Sequence, residues 1–334
     1  MIPRLPRIVL LTGLALLAPL LTPCQKATPP THYEQVKDWP KLPANIQLGE
    51  VAGVAVDRNG HVLIFHRPGR GFDPKATTKL TEPTVLEIDP ISGKLLNSWG
   101  ANMFLVPHGI SVDAQNNIFL TDVGLQQVFK FTHDGKLIFA LGEPTVGAWD
   151  ATHFNQPTDI AIRPDGSFYV SDGYINSRVA LFDRNGKWLK EWGSKGAGEG
   201  QFSNPHGLLL IPHSTDVLVA DRENSRLQLF DRDGHFKRQW TGVKDAQTTG
   251  RIFAVDADRE GNLYLGIRRA DYDHEHTGIL KLDPNWNIIA TIGFNHPGDP
   301  VFDAVHDIAV APDGSIYIAE TRTKRVVKLR LVNP

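Results

Sequence analysis

Three histidines invite a chemical reading first. His108 and His206 each sit in a Pro-His-Gly tripeptide, whereas His306 stands in the different context Ala304-Val305-His306-Asp307. Each falls just before the first strand of a repeating unit, and only in every second unit. At the same position the other units carry Ala52, Thr158 and Phe253. In a closed ring of six units whose first strands line the axis, alternate members lie a third of a turn apart. The three imidazoles would then converge on one point. That is a three-histidine zinc site with a fourth position left for water or substrate. The lack of sulfur ligands and of a two-histidine, one-carboxylate set favours zinc over copper or iron. Inherited repeat consensus would account for the two Pro-His-Gly strings but not for His306.

Further polar groups recur where the second strand of each unit ends. The acids Asp122, Asp172, Asp221 and Glu320 share one slot. Their plainest use is to accept hydrogen bonds from backbone amides and fix a turn. Arg67 and Arg222 are harder to explain that way, because a turn does not call for guanidinium groups. Arginine grips carboxylates through two parallel hydrogen bonds, so two arginines beside a metal suggest an anionic substrate. Arg268 is a third candidate for that task. The stretch from Asp271 to His276 reads as a solvated loop despite its metal-like composition.

The elements that must position these groups are short strands. Six segments repeat one pattern: an apolar strand, a turn, and a second strand ending in a polar residue. They begin at Gly53, Gly109, Asp159, Gly207, Ala254 and Asp307, at intervals of 56, 50, 48, 47 and 53 residues. In the best-formed units a third strand follows (QVFKF, RVALF, RLQLF, RVVKL), then a fourth. Alternating apolar residues bounded by Asp-Gly and Asn-Gly signals mark β-hairpins rather than helices. Four strands repeated six times predict an all-β fold, a six-bladed β-propeller. The last unit stops after its third strand, so residues 33–39 (YEQVKDW) are expected to supply the missing one and close the ring. Trp39 would then sit at the place held by Trp99, Trp192 and Trp240. One domain, 33–334, is the simplest organisation.

Composition narrows the class. Lys+Arg 35 against Asp+Glu 37 leaves a net charge of −2, which argues against a nucleic-acid partner. A single cysteine excludes an internal disulfide framework and any multi-cysteine metal site. Residues 1–24 read as a secretory leader, with Arg4 and Arg7 ahead of an apolar run from Ile8 to Leu21. A short membrane anchor fits less well, because the run falls below the ~20 residues of a span and Pro19 and Pro23 would both disturb a helix. Cys24 falls where a bacterial lipoprotein carries its lipidated residue, although Leu21-Thr22-Pro23 lacks the usual small residue before it. Residues 25–32 read as a linker. The protein is therefore expected outside the cytoplasm, periplasmic or extracellular, touching a membrane only through a lipid anchor at Cys24. It is also expected to be a monomer.

The strings LVPHGISVD (105–113), YVSDGYINSR (169–178), QFSNPHGL (201–208), ADRENSRLQ (220–228) and HDIAV (306–310) carry a resemblance. Over most of residues 50–331 the chain resembles the peptidyl-α-hydroxyglycine α-amidating lyase family, six-bladed propellers of NHL-type repeats. The resemblance implies zinc on His108, His206 and His306. It also implies a structural calcium held by the backbone carbonyls of Val54 and Ile110 and the carboxylate of Asp307. The family's active-site tyrosine falls on Tyr174 and its two functional arginines on Arg67 and Arg222. Departures are the missing disulfide cysteines, Ile175 replacing one of them, and Ala304-Val305 where the family has Met-Pro.

The implied reaction splits a peptidyl- or acyl-α-hydroxyglycine with a free carboxylate into an amide and glyoxylate. Tyr174 would transfer the proton; a phenol normally titrates near ~10, so it needs a cation or metal beside it to act as a base at neutral pH. No copper monooxygenase is read ahead of the propeller, so a hydroxylated substrate is expected from elsewhere. Two other functions stay open on the residues alone. One is a metal-dependent lactonase-like hydrolase, and the other a secreted propeller that binds a protein or glycan without catalysis.

Overall fold

The computed structural model describes residues 32–242, 250–268, 277–294 and 296–332. The leader, Cys24, most of the linker and the 271–276 loop lie outside the described residues. Blade one comprises β2 (Glu50–Val56), β3 (Val62–Arg67), β4 (Val85–Ile88) and β5 (Leu95–Trp99), following β1 (His32–Gln35). Blade two is β6 (Pro107–Val112), β7 (Ile118–Asp122), β8 (Gln127–Phe131) and β9 (Leu137–Leu141). Blade three is β10 (Pro157–Ile162), β11 (Phe168–Asp172), β12 (Arg178–Phe182) and β13 (Trp188–Trp192). Blade four is β14 (Pro205–Leu210), β15 (Val217–Asp221), β16 (Arg226–Phe230) and β17 (Phe236–Trp240). Blade five is β18 (Arg251–Ala257), β19 (Leu263–Arg268), β20 (Gly278–Leu282) and β21 (Ile288–Gly293). Blade six joins β22 (Val305–Val310), β23 (Ile316–Glu320) and β24 (Arg325–Val332) to β1. All six sheets are antiparallel and four-stranded, which makes the fold a six-bladed β-propeller.

Burial explains the sequence pattern. Second and third strands are covered on both faces by neighbouring blades, so β7, β11, β12, β15 and β16 are buried along their whole length. Such strands read as nearly continuous apolar runs. Outer strands are open to solvent, as in β17 (FKRQW), where no residue is buried. The core therefore lies between blades. Phe119 of blade two packs edge-on against Phe168 of blade three, which stacks on Phe182, with ring centroids 5.0 and 5.4 Å apart. Hairpin turns close on glycines that reach the left-handed region, such as Gly166 at φ +85° after Asp165.

Ring closure follows the expectation with one correction. β1 pairs antiparallel with β24 from His32↔Val332 to Gln35↔Leu329. The strand is shorter than the 33–39 expected. The chain turns at Asp38 (φ 56°), and Trp39 instead enters the core between blades six and one, 5.1 Å from the Tyr317 ring. Tyr33 anchors the closing strand, buried, with its hydroxyl 3.2 Å from that of Tyr264.

The recurrent acids are used up by the fold. Asp122 accepts from the amides of Leu105, Val106 and Leu125. Asp172 and Asp221 each accept from a backbone amide and pair with a buried arginine, Arg178 and Arg226. Glu320 accepts from the Asp303 amide and pairs with Arg325. In blade one this slot holds His66, whose Nδ1 accepts from the Gly49 amide at 3.1 Å. Burial pushes the His66 imidazole down to about 4, so it stays neutral in the fold.

Two outcomes are expected. Tyr33→Ala should lower stability by about 3 kcal/mol, read as a lower urea midpoint, because it removes the anchor that closes the ring. The unfolded chain takes up a proton at His66 near pH 6.5, whereas the folded one does so only near 4. His66 therefore costs nothing above pH 6.5 and destabilises progressively as pH falls through that window, by roughly 3 kcal/mol at pH 4. Urea unfolding of His66→Asn should lose less stability than the wild type between those pH values.

Candidate functional site

Every first strand carries an irregularity in the same place. Its pairing shifts between Val51 and Gly53, Pro107 and Ile110, Pro157 and Asp159, Pro205 and Leu208, Ile252 and Ala254, and Val305 and Asp307. A bulge re-aims the residue it inserts. The inserted positions include Ala52, His108, Thr158, His206, Phe253 and His306, and all six line one small cavity of about 10 Å³ on the axis. That volume is the scale of a single water or ion.

The three histidines meet there. Their ring centroids are 4.9, 4.8 and 4.9 Å apart, and their planes are steeply inclined to one another. Donor atoms from all three rings lie within 4.8 Å of one another. The inclination is fixed by the other three blades. His108 Nδ1 lies 2.8 Å from the Thr158 carbonyl, His206 Nδ1 2.7 Å from that of Phe253, and His306 Nδ1 2.7 Å from that of Ala52. Each acceptor is a carbonyl, so Nδ1 must carry the proton and Nε2 keeps its lone pair. Burial, reinforced by Arg67, pushes His108 down to about 3, and burial holds His206 and His306 well below the usual histidine range. Three neutral imidazoles with inward lone pairs are the donor set of a tetrahedral metal site. His206 Nε2 has no hydrogen-bond partner although it is buried, which supports the fit.

Tyr174, Arg67 and Arg222 are gathered on one side of this ring. The Tyr174 hydroxyl is 3.1 Å from His108 Nε2, and Arg222 Nη1 donates to the same oxygen at 3.4 Å. The Arg222 guanidinium lies between the faces of Tyr174 and Phe253, 5.1 and 4.8 Å from their centroids. Arg67 is buried, donates to Glu50 at 2.7 Å and to the Pro107 carbonyl at 3.2 Å, and leaves its Nε without a partner. A cleft of about 390 Å³ opens over them, with Arg251, Arg268 and Arg322 in its wall. Its charge suits an anion.

The other end of the axis has the opposite character. A cavity of about 450 Å³ is lined by Asp159, Asp256 and Asp307, with Val54 and Ile110 beside them. Asp307 accepts from the Val54 amide at 2.9 Å and Asp159 from the Leu208 amide at 2.8 Å. Burial raises all three carboxyls, Asp256 to about 6 and Asp159 to about 7, and like charges add to it, Asp256 on Asp159 and both of these on Asp307. A cation would relieve that repulsion. The residues expected around calcium are thus brought to one cavity.

Sequence reasoning missed several contributors. Phe72 covers the cleft, its ring 5.1 Å from Tyr174 and 5.4 Å from Arg67. It comes from the long connection that makes the interval after blade one's start the largest of the five, which was the available signal. Glu50 and Glu223, which orient Arg67 and Arg222, had no sequence signal of their own.

No family model matches the chain. The chain is 37% identical over 319 residues to the peptidylglycine alpha-amidating monooxygenase of Rattus norvegicus, covering 90% of this chain but 32% of that protein. It thus spans about a third of the length of that relative. It is 31% identical over 303 residues to a Caenorhabditis elegans protein named a probable peptidyl-alpha-hydroxyglycine alpha-amidating lyase, covering 86% of this chain and 84% of that one. Among solved structures, a gluconolactonase from Xanthomonas campestris superposes with a TM-score of 0.60 at 15% identity, over 86% of this chain and 87% of that one. That likeness is one of fold alone. With a propeller and a histidine ring in place, and with most of the length of the worm protein matched, the chain belongs to the peptidyl-α-hydroxyglycine α-amidating lyase family.

Proposed function

We propose that this protein cleaves peptidyl- or acyl-α-hydroxyglycines to an amide and glyoxylate, with zinc on His108, His206 and His306. The observation that carries this reading is the meeting of three functions at one point. The Tyr174 hydroxyl touches a metal-ligand nitrogen while accepting from Arg222. In the reaction the carbinol hydroxyl loses its proton, a carbonyl forms, the carbon–nitrogen bond breaks, and the amide nitrogen regains a proton. No water is consumed. Bound zinc would act as a Lewis acid toward the hydroxyl oxygen.

The protein's own groups do the rest. Arg222 and Arg67 face the cleft and suit the substrate carboxylate, holding the carbinol carbon in register. Glu50 keeps the Arg67 guanidinium in one orientation. Tyr174 is the group within reach to carry the proton, and Phe72 shields it from bulk water. Calcium on the Val54 and Ile110 carbonyls and the Asp307 carboxylate would neutralise the acidic end of the axis. A small substrate, a monomeric protein outside the cytoplasm and no nucleic-acid partner complete the proposal.

Glyoxylate release from α-hydroxyhippurate tests this reading. His206→Ala should abolish stoichiometric zinc in the channel and nearly all turnover. Tyr174→Phe should lower kcat by roughly 10²–10⁴-fold with KM little changed. Arg222→Lys should chiefly raise KM for carboxylate-bearing substrates and spare an ester analogue. Full activity in His206→Ala, or glyoxylate release that survives complete removal of metal, would refute the proposal.

A further inference from the structure

A second cluster of metal-donor side chains lies between blades one and two, among the turns remote from the arginine cleft. Asp57 directly follows the first strand of blade one, His61 comes after it in the adjoining turn, and Glu87 sits on β4. His133 reaches over from the β8–β9 turn of blade two. Their donor atoms alternate. His61 Nδ1 is 2.7 Å from Glu87 Oε1, which is 3.8 Å from His133 Nε2. His133 Nε2 is 2.8 Å from Asp57 Oδ2, which is 3.8 Å from His61 Nδ1. The Asp57 and Glu87 side chains are 0% and 10% exposed, while the two imidazoles reach solvent at 29% and 26%. The carboxylates are therefore desolvated, and the rings leave an entry path.

The repeats supply an internal comparison. Blades two and five carry the same aspartate, Asp113 and Asp258. Each accepts from an asparagine four residues on, Asn117 or Asn262 at 2.8 Å. Each is neutralised by a lysine from the third strand, Lys130 at 3.0 Å or Lys281 at 3.4 Å. In blade one the asparagine position is His61, and strand register puts Glu87 where the lysine belongs, since Leu63↔Glu87 matches Phe119↔Lys130 and Tyr264↔Lys281. The ordinary solution is a carboxylate balanced by a cation. Here the cation is replaced by a second carboxylate, and two imidazoles converge on the pair. Two nitrogens and two carboxylate oxygens are donors that zinc and its neighbours accept, and a divalent ion balances both charges with the rings neutral.

We propose that Asp57, Glu87 and His133, whose donor atoms lie within 4.8 Å of one another, form a second divalent transition-metal site with His61 alongside the two carboxylates, structural in role, that ties blade one to blade two. It does not depend on the channel chemistry.

The test is equilibrium dialysis of the full chain, stripped of metal and then dialysed against micromolar Zn²⁺ at neutral pH, followed by elemental analysis. The double variant His61→Asn with Glu87→Lys restores the set found in blades two and five, so it should fold. It should bind one zinc fewer than the wild type. His133→Ala, a change at a partly exposed position, should lose the same equivalent while α-hydroxyhippurate turnover stays within about twofold. Retention of this equivalent in His133→Ala, whatever its turnover, would count against the second site, whereas the channel reading stands or falls with His206→Ala. In the His206→Ala background, Co²⁺ should still give the visible absorption of a low-symmetry site, and His133→Ala should remove it. Equal zinc in the wild type, the double variant and His133→Ala would overturn the proposal. So would filling of this site only at millimolar zinc, which would leave two ordinary histidine–carboxylate pairs.

Discussion

One extra residue at the start of each innermost strand governs the centre of this molecule. A regular strand would send successive side chains alternately into one blade interface and the other, and none would point along the axis for long. The bulge breaks that alternation once per blade, at the same height. Three blades use it to deliver an imidazole and the other three to deliver a carbonyl that holds the neighbouring ring. The six-fold repeat has thereby become a three-fold site with its own supporting shell. Ligand and support come from neighbouring blades, so closing the ring with β1 matters to the chemistry as well as to stability.

Charge is arranged along the axis with equal economy. Arginines crowd one mouth, carboxylates the other, and neutral histidines lie between. Burial alone would keep the imidazoles uncharged, and the arginines add to that preference. A ring that is to hold a metal needs this, because a protonated imidazole has no lone pair to give. Arg67 and Arg222 do not float free. Glu50 and Glu223 hold them and offset part of their charge, leaving the guanidinium planes presented to the cleft. Desolvated arginines in fixed orientations discriminate for a planar carboxylate better than mobile lysines could.

Much of this was legible in the chain, and the physical reason differs by feature. The propeller shows because a fifty-residue period with strand-length apolar runs has few architectures open to it. The histidine ring shows because its members share one repeat position, so symmetry does the work that distance would do elsewhere. Arg67 and Arg222 stand out because they break the repeat. Tyr174 is different, since nothing in its spacing marks it, and only resemblance to a family pointed there. The supporting carbonyls were invisible because any residue offers one. Phe72 and the Asp57–His133 cluster depend on loops and on turns of adjacent blades touching, which a linear reading does not register. The closing strand was over-extended in the sequence reading because Trp39 fits the tryptophan pattern while reaching the core past a turn.

The central claim is that His108, His206 and His306 share one ion. Anomalous diffraction at the zinc edge, on crystals of zinc-loaded protein, tests it directly. The account predicts a single strong peak on the axis, about 2.0–2.1 Å from the Nε2 atoms of all three rings. A blank axis in zinc-saturated crystals, or a peak bound through fewer than three of those nitrogens, would contradict it.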